Sequence, residues 1–296
     1  MAVDHHIRRL GDLQCELGES PVWDQDNDRL LLVDIDGHAI HALDPSSGAS
    51  CGWPMSRPVA ALGLSSAGLW IVALSDGVFT FDPEKNRLEL LCQPEPQSPT
   101  NRLNDGKVGP DGAFWIGSMN QEKTRAPTAA LYRVGPSADC VRVRSGLSVA
   151  NGLAWSPDGG TMYHADSHQR EIMAFDFCPE TGSVGPSRLF AKMKNGAPDG
   201  GATDVEGCYW SCAAFGGRLV RFSPSGTVLE NIELPVTAPT SLCFGSADMR
   251  TLFITSMRSG LGAPVRAREP LAGAIFALEV STAGTPVGRF GQASPR

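Results

Sequence analysis

Several motifs that would decide the chemistry are missing from this chain. Eight cysteines are present, yet none form a Cys-x-x-Cys pair, which removes the basis for a zinc ribbon or a thioredoxin-type redox site. There is no His-Glu-x-x-His motif and no Gly-x-Ser-x-Gly elbow, so zincin and α/β-hydrolase chemistry have no carrier. The run Gly196-Ala197-Pro198-Asp199-Gly200-Gly201 lacks the Gly-Lys-Ser/Thr ending of a phosphate loop. The first twenty residues hold no apolar leader core, and no apolar run approaches membrane-spanning length. No block of like charge is long enough for a disordered tail, and the net charge of -7 argues against nucleic acid and anionic membranes as partners. An amphipathic helix of ordinary length is also absent, which disfavours βαβ folds. Scattered cysteines fit a reducing compartment, and the expectation is a soluble, cytoplasmic protein.

What is present is a turn-rich β pattern. The 296 residues allow one large domain or two small ones, 42% are hydrophobic, and Gly 33 and Pro 22 are high for a helical protein. Short apolar strands alternate with Asp/Gly/Pro turns. Leu30–Asp34 is followed by Asp36-Gly37 and Ala39–Leu43, and Gly68–Val72 by Asp76-Gly77 and Val78–Phe81. The pattern returns about six times, each copy having three clear strands and a weaker outer one, of which Arg87–Leu91 is the plainest. A meander of this kind buries both faces only when copies pack radially, so the expected fold is an all-β propeller in a single domain, 1–296. A two-sheet sandwich array is the alternative, but it does not demand such a period. Trp23, Trp115, Trp155 and Trp210 recur at strand positions and are expected to pack between blades. Two long loops, Asn120–Thr128 and Arg258–Pro270, fall between a second and a third strand, and hence on one face of the ring.

Five copies begin a buried-looking strand with a polar residue in the same phase. These are Glu19-Ser-Pro-Val-Trp, Asn104-Asp-Gly-Lys-Val, Asn151-Gly-Leu-Ala-Trp, Asp199-Gly-Gly-Ala-Thr and Thr240-Ser-Leu-Cys-Phe. If each opens the innermost strand of a blade, the marked residues ring the central axis at one height. Glu19, Asn151 and Asp199 then set two carboxylates and an amide oxygen at one end of the channel, a hard-oxygen array suited to a divalent cation. Taken singly, each has a plainer reading: a surface carboxylate at Glu19, a hairpin turn at Asn151-Gly152, a Pro-Asp-Gly turn at Asp199. Arg102 and Asn104 form a second lead, because both donate hydrogen bonds to hydroxyls and carbonyls. The alternative there is a solvated loop with Asn-Asp-Gly turn chemistry.

The blocks Gly18–Trp23, Asn101–Lys107, Asn151–Trp155, Pro198–Gly200 and Leu271–Phe276, in this order and spacing, resemble the signature blocks of the SMP-30/gluconolactonase/regucalcin family. The resemblance spans nearly the whole chain. It implies a six-bladed β-propeller with one divalent metal ion near the top of the channel, held by Glu19, Asn151 and Asp199. Arg102 and Asn104 would contact substrate, and Asp199 would also serve as general base. Many members of the family carry an acidic substrate contact where this chain has Gln121, with Glu122 beside it, so either residue can fill that position. The implied activity is hydrolysis of sugar lactones, such as gluconolactone, to aldonic acids in carbohydrate catabolism, by a monomer. Alternatives on the same scaffold are a metal-dependent phosphotriesterase and a non-catalytic calcium-binding propeller. All-oxygen ligands admit Ca²⁺, Mg²⁺, Mn²⁺, Fe²⁺ or Zn²⁺.

Overall fold

The computed structural model describes residues 6–293; both ends of the expected domain 1–296 lie outside the described residues. Among the described residues, six four-stranded antiparallel sheets contain 24 strands, accompanied by one six-residue helix, Ala263–Arg268. The sheets stand as blades around an axis, giving a six-bladed β-propeller. Five blades are simple meanders in chain order. The sixth is composite. Its three inner strands come from the C-terminal part of the chain, and its outermost is the N-terminal strand Ile7–Gln14, antiparallel to Ala274–Glu279 with Ile7 opposite Leu278. That pairing closes the ring and ties the first blade to the last. The expected weak outer strand at Arg87–Leu91 is Arg87–Cys92, outermost in the second blade.

The innermost strands are Gly18–Asp24, Val59–Leu64, Asn101–Val108, Ala150–Trp155, Ala197–Thr203 and Pro239–Gly245. Three of them, Val59–Leu64, Ala150–Trp155 and Pro239–Gly245, are buried at every residue. Polar side chains there must therefore serve the channel or the neighbouring blade. Aromatic rings fill the wedges between blades, as expected for the tryptophans. Trp23 stacks on Phe253 at 5.3 Å, Trp115 meets Trp155 edge-on at 6.1 Å, and Trp210 meets Phe244 at 6.0 Å. Pairs of this kind contribute about 0.5–1.5 kcal/mol each beyond buried area.

Every innermost strand carries one register shift near its start, at Glu19/Val22, Val59/Ala61, Leu103/Gly106, Asn151/Ala154, Pro198/Gly201 and Pro239/Leu242. Such bulges re-aim a side chain without ending the strand. At the other end of the channel, the segment after the last strand crosses beneath the blades. Val205 N donates to Ala283 O at 2.9 Å, Thr285 N to Thr203 O at 3.0 Å, Phe290 N to Leu64 O at 2.8 Å and Gly291 N to Gly112 O at 2.9 Å. This strap floors the ring. No helix among the described residues is long and apolar enough to cross a membrane.

Candidate functional site

Glu19, Asn104, Asn151 and Asp199 all lie in the opening residues of innermost strands, in the first, third, fourth and fifth blades. The turn readings of these segments do not hold: each is strand. Asn104 in particular is 8% exposed within Asn101–Val108, rather than part of a solvated loop. Counting four residues back from Trp23, Val108, Trp155, Thr203 and Phe244 gives Glu19, Asn104, Asn151, Asp199 and Thr240; the same count from Leu64 in the second blade gives Ala60. The second blade thus leaves a small apolar gap in an otherwise polar ring.

Local backbone geometry explains two of these placements. Gly152 follows Asn151 with φ +67, a conformation that favours glycine, and a Cβ there would lie 2.6 Å from the Tyr209 hydroxyl and 3.1 Å from Asp199 O. Ser20 follows Glu19 with φ 46, and its N–H donates to Glu19 Oε2 at 3.1 Å. In both blades the chain turns left-handed directly after the polar residue.

A chain of hydrogen bonds then links three blades. Arg102 Nη1 donates to Asn104 Oδ1 at 2.8 Å and to Leu103 O at 2.9 Å. Asn104 Nδ2 donates to Asn151 Oδ1 and to Ala150 O, both at 3.0 Å. Asn151 Nδ2 donates to Ser167 Oγ at 2.7 Å, and Ser167 Oγ donates to Pro198 O at 2.6 Å, beside Asp199. Ser167 fixes which way the Asn151 amide points. Its oxygen keeps one acceptor site beyond the bond from Asn104.

The electrostatics show what the ring needs. Burial first, then Asp199 and Asp105, hold the Glu19 carboxyl well above the usual range, with the Ser20 N–H and Arg102 offsetting part. Asp199 is also raised well above its ordinary value, by burial and then by Asp105, against the Gly200 N–H and Arg102. Asp105, the residue after Asn104, is raised by burial; Lys107 and the N–H groups of Leu153, Gly152 and Gly106 pull it back. Burial lowers Lys107, whose Nζ donates to Gly201 O at 2.5 Å, and lowers Arg102 to about 10. Carboxyls crowded and desolvated in this way favour either a proton or a cation. Hard oxygens from Glu19, Asp199 and the Asn151 amide suit a divalent cation, so the donor set fits the ion expected there.

Sequence reasoning passed over Asp105, Lys107 and Ser167. The signal was an Asn-Asp-Gly-Lys run inside a strand pattern, where polar residues at buried positions ask for partners. Gln121 is exposed, and it lines with Arg102 and Glu95 a cavity of about 430 Å³ at the mouth side. Glu122 is exposed and is not among the residues lining that cavity; its N–H donates to Asn120 Oδ1 at 2.9 Å. A cavity of about 410 Å³ on the floor side is lined by Lys107, Trp155, Thr203 and Arg289, and holds none of Glu19, Arg102, Asn104, Asn151 or Asp199. Lys107 therefore divides the polar ring from the floor.

Residues 17–258 match the model of the SMP-30/Gluconolactonase/LRE-like region. A protein named 6-deoxy-6-sulfogluconolactonase from Pseudomonas putida is 37% identical over 271 residues, covering 90% of this chain and 92% of the relative. Regucalcin of Gallus gallus is 32% identical, covering 92% and 93%. Among solved structures, a calcium-binding protein, regucalcin, from Agrobacterium tumefaciens superposes with a TM-score of 0.92 at 26% identity, covering 97% of this chain and 98% of that one.

Proposed function

The chain belongs to the SMP-30/gluconolactonase/LRE-like family, and on that premise we propose that it is a divalent-metal-dependent hydrolase of sugar lactones. The observation that carries the reading is the convergence of Glu19, Asn151 and Asp199 with Arg102 and Asn104 at one end of the channel. Glu19, Asn151 Oδ1 and Asp199 would hold the ion. When bound, the ion would polarise the lactone carbonyl and draw the two carboxyls into their ionised form.

The chain's own groups would supply the rest. Arg102 has guanidinium donors beyond those given to Leu103 and Asn104, and these can orient substrate oxygens. Asn104 positions both Arg102 and Asn151. Asp199 would take the proton from the attacking water as its oxygen bonds to the carbonyl carbon. Cleavage of the ring ester bond then releases the former ring oxygen, which takes up the proton held by Asp199 to become a hydroxyl, and the product is the aldonic acid. Gln121 would meet the substrate from the loop side, through the cavity it shares with Arg102. Action as a cytoplasmic monomer, in carbohydrate catabolism, is part of the same proposal.

The test is acid release from a panel of five- and six-carbon aldonolactones by EDTA-treated protein, with each divalent ion restored in turn. The panel should include lactones bearing an anionic group at C6. The 37% relative is named for such a compound, and Arg125 lies near enough to Arg102 to lower its pKa. Metal-dependent hydrolysis of one lactone supports the reading. No hydrolysis with any ion, by folded protein that binds one, overturns it and leaves a cation-binding role, which the calcium-binding structural relative also suggests.

A further inference from the structure

A second cluster of donors lies away from the mouth of the channel. Cys15 Sγ, a ring nitrogen of His41 and a carboxylate oxygen of Asp34 all lie within 4.8 Å of one another. We infer that Cys15, Asp34 and His41 form a separate metal site, which takes a borderline divalent cation of the zinc type.

The placement is specific. Cys15 sits in the link between the ring-closing strand Ile7–Gln14 and the first innermost strand, its N–H donating to Gly273 O at 2.8 Å. Asp34 ends the second strand of the first blade and His41 lies in the third. Asp34 gathers the N–H groups of Glu16, Leu17 and Gly37, each at 2.9 Å. Its carboxylate is 6% exposed and has no Lys or Arg partner among the described residues. Cys15 is fully buried, and among the described residues neither its thiol nor the His41 ring makes a hydrogen bond. The Asp34 carboxylate is already held by these three N–H groups, so what the cluster leaves unused is a buried thiol and an imidazole nitrogen, both within reach of one carboxylate oxygen.

The comparison with a like cluster in the same chain sharpens this. Asp204, Glu206 and Cys208 also lie within 4.8 Å of one another. There, Arg221 Nη2 reaches both Asp204 Oδ2 and Glu206 Oε2 at 2.7 Å, so the cation is already part of the chain. No such guanidinium enters the Cys15 cluster. Sulfur, nitrogen and oxygen donors together select a zinc-type ion, whereas the mouth offers oxygen alone. An ion here would brace the junction where the ring closes.

The inference does not depend on the lactonase reading. Full-length protein carrying Asp199→Asn, which disables the mouth, is stripped with EDTA under reducing conditions and titrated with Co²⁺. A thiolate-to-cobalt charge-transfer band in the near ultraviolet, saturating at one equivalent and displaced by Zn²⁺, is expected. Zn²⁺ at a hundredfold excess over Kd should raise Tm by on the order of 5 °C. Adding Cys15→Ser should abolish the band, while Cys178→Ser leaves it. Absence of a band, or its survival in Cys15→Ser, overturns the site. Should Cys15→Ser fold poorly, His41→Gln is read instead: it must weaken Co²⁺ binding by more than the roughly 100-fold that loss of an outer partner can cost, and any smaller loss also overturns the site.

Discussion

Glu19→Gln keeps the shape of the side chain and removes its charge, and in the metal-free protein that charge opposes folding. Glu19 is 8% exposed, and burial, Asp199 and Asp105 together lift its carboxyl well above the ordinary range. In the unfolded chain the group titrates near about 4.3. Below that pH both states are protonated and nothing is lost. As pH rises through the unfolded value, the unfolded chain releases its proton while the folded one still holds it, and stability falls by up to about 1.4 kcal/mol per pH unit until the folded value is passed. Glutamine does not titrate and avoids this loss. Relief of one poorly compensated buried charge amounts to about 1–3 kcal/mol. For a chain of this size that is a Tm gain of about 2–6 °C. Calorimetry in EDTA should therefore find Glu19→Gln more stable than wild type near neutral pH, with the gain vanishing at about pH 4. Saturating divalent ion should reverse the order, because the wild type gains a ligand charge that the variant lacks. A Gln variant less stable than wild type in EDTA near neutral pH would refute the reasoning: the Ser20 N–H and Arg102 would then outweigh the crowding by Asp199 and Asp105.

Asp199→Ala should reduce lactone turnover by about 10²–10⁴-fold and weaken divalent-ion binding in the same titration; near-normal turnover would sink the role given to Asp199. Arg102→Ala should raise KM more than it lowers kcat if its guanidinium orients substrate as proposed, since it also fixes Asn104 at 2.8 Å; a pure kcat loss would move Arg102 from binding into the chemical step. Arg221→Ala, far from the mouth, should destabilise by about 3–5 kcal/mol because it strands the buried Asp204, whose side chain is fully buried beside a guanidinium only 10% exposed. Thermal unfolding reads this directly, and the KM of the folded fraction should not change.

The repeat made much of the ring legible. Glu19, Asn104, Asn151, Asp199 and Thr240 share one phase in the repeat, each near the start of an innermost strand, so they could be grouped from the sequence alone. The composite sixth blade was not foreseen, because a strand pairing across the whole chain, such as Ile7 with Leu278, leaves no local mark. The bulges were equally hidden. Gly152 and Gly200 looked like turn residues, whereas one permits a left-handed step inside a strand and the other makes room for Ser241, whose Oγ a Cβ would approach to 2.1 Å.

Asp105 and Lys107 mark a different limit. Their spacing was visible, but their meaning comes from what they face: Asp105 Oδ2 accepts the Leu153 N–H at 3.1 Å from the next blade, and Lys107 spans to Gly201 O two blades away. Gln121 shows the third limit. Repeat phase fixes strand residues, and the loop Asn120–Thr128 follows no repeat. Its shape is set by Asn120, which receives Arg125 Nη1 on its carbonyl and donates through Nδ2 to Thr128 Oγ1 at 2.9 Å. Arg102 and Asn104 belong to the innermost strand and could be placed by register, whereas the positions of Gln121 and Glu122 depend on how that loop folds back. The loop brings Gln121, through its N–H to Thr100 O at 2.8 Å, to the wall it shares with Arg102, and ties the Glu122 N–H to Asn120 Oδ1 at 2.9 Å. On the proposed lactonase reading, a substrate contact from this side would fall to a neutral amide, which can both donate and accept, where a carboxylate would only accept.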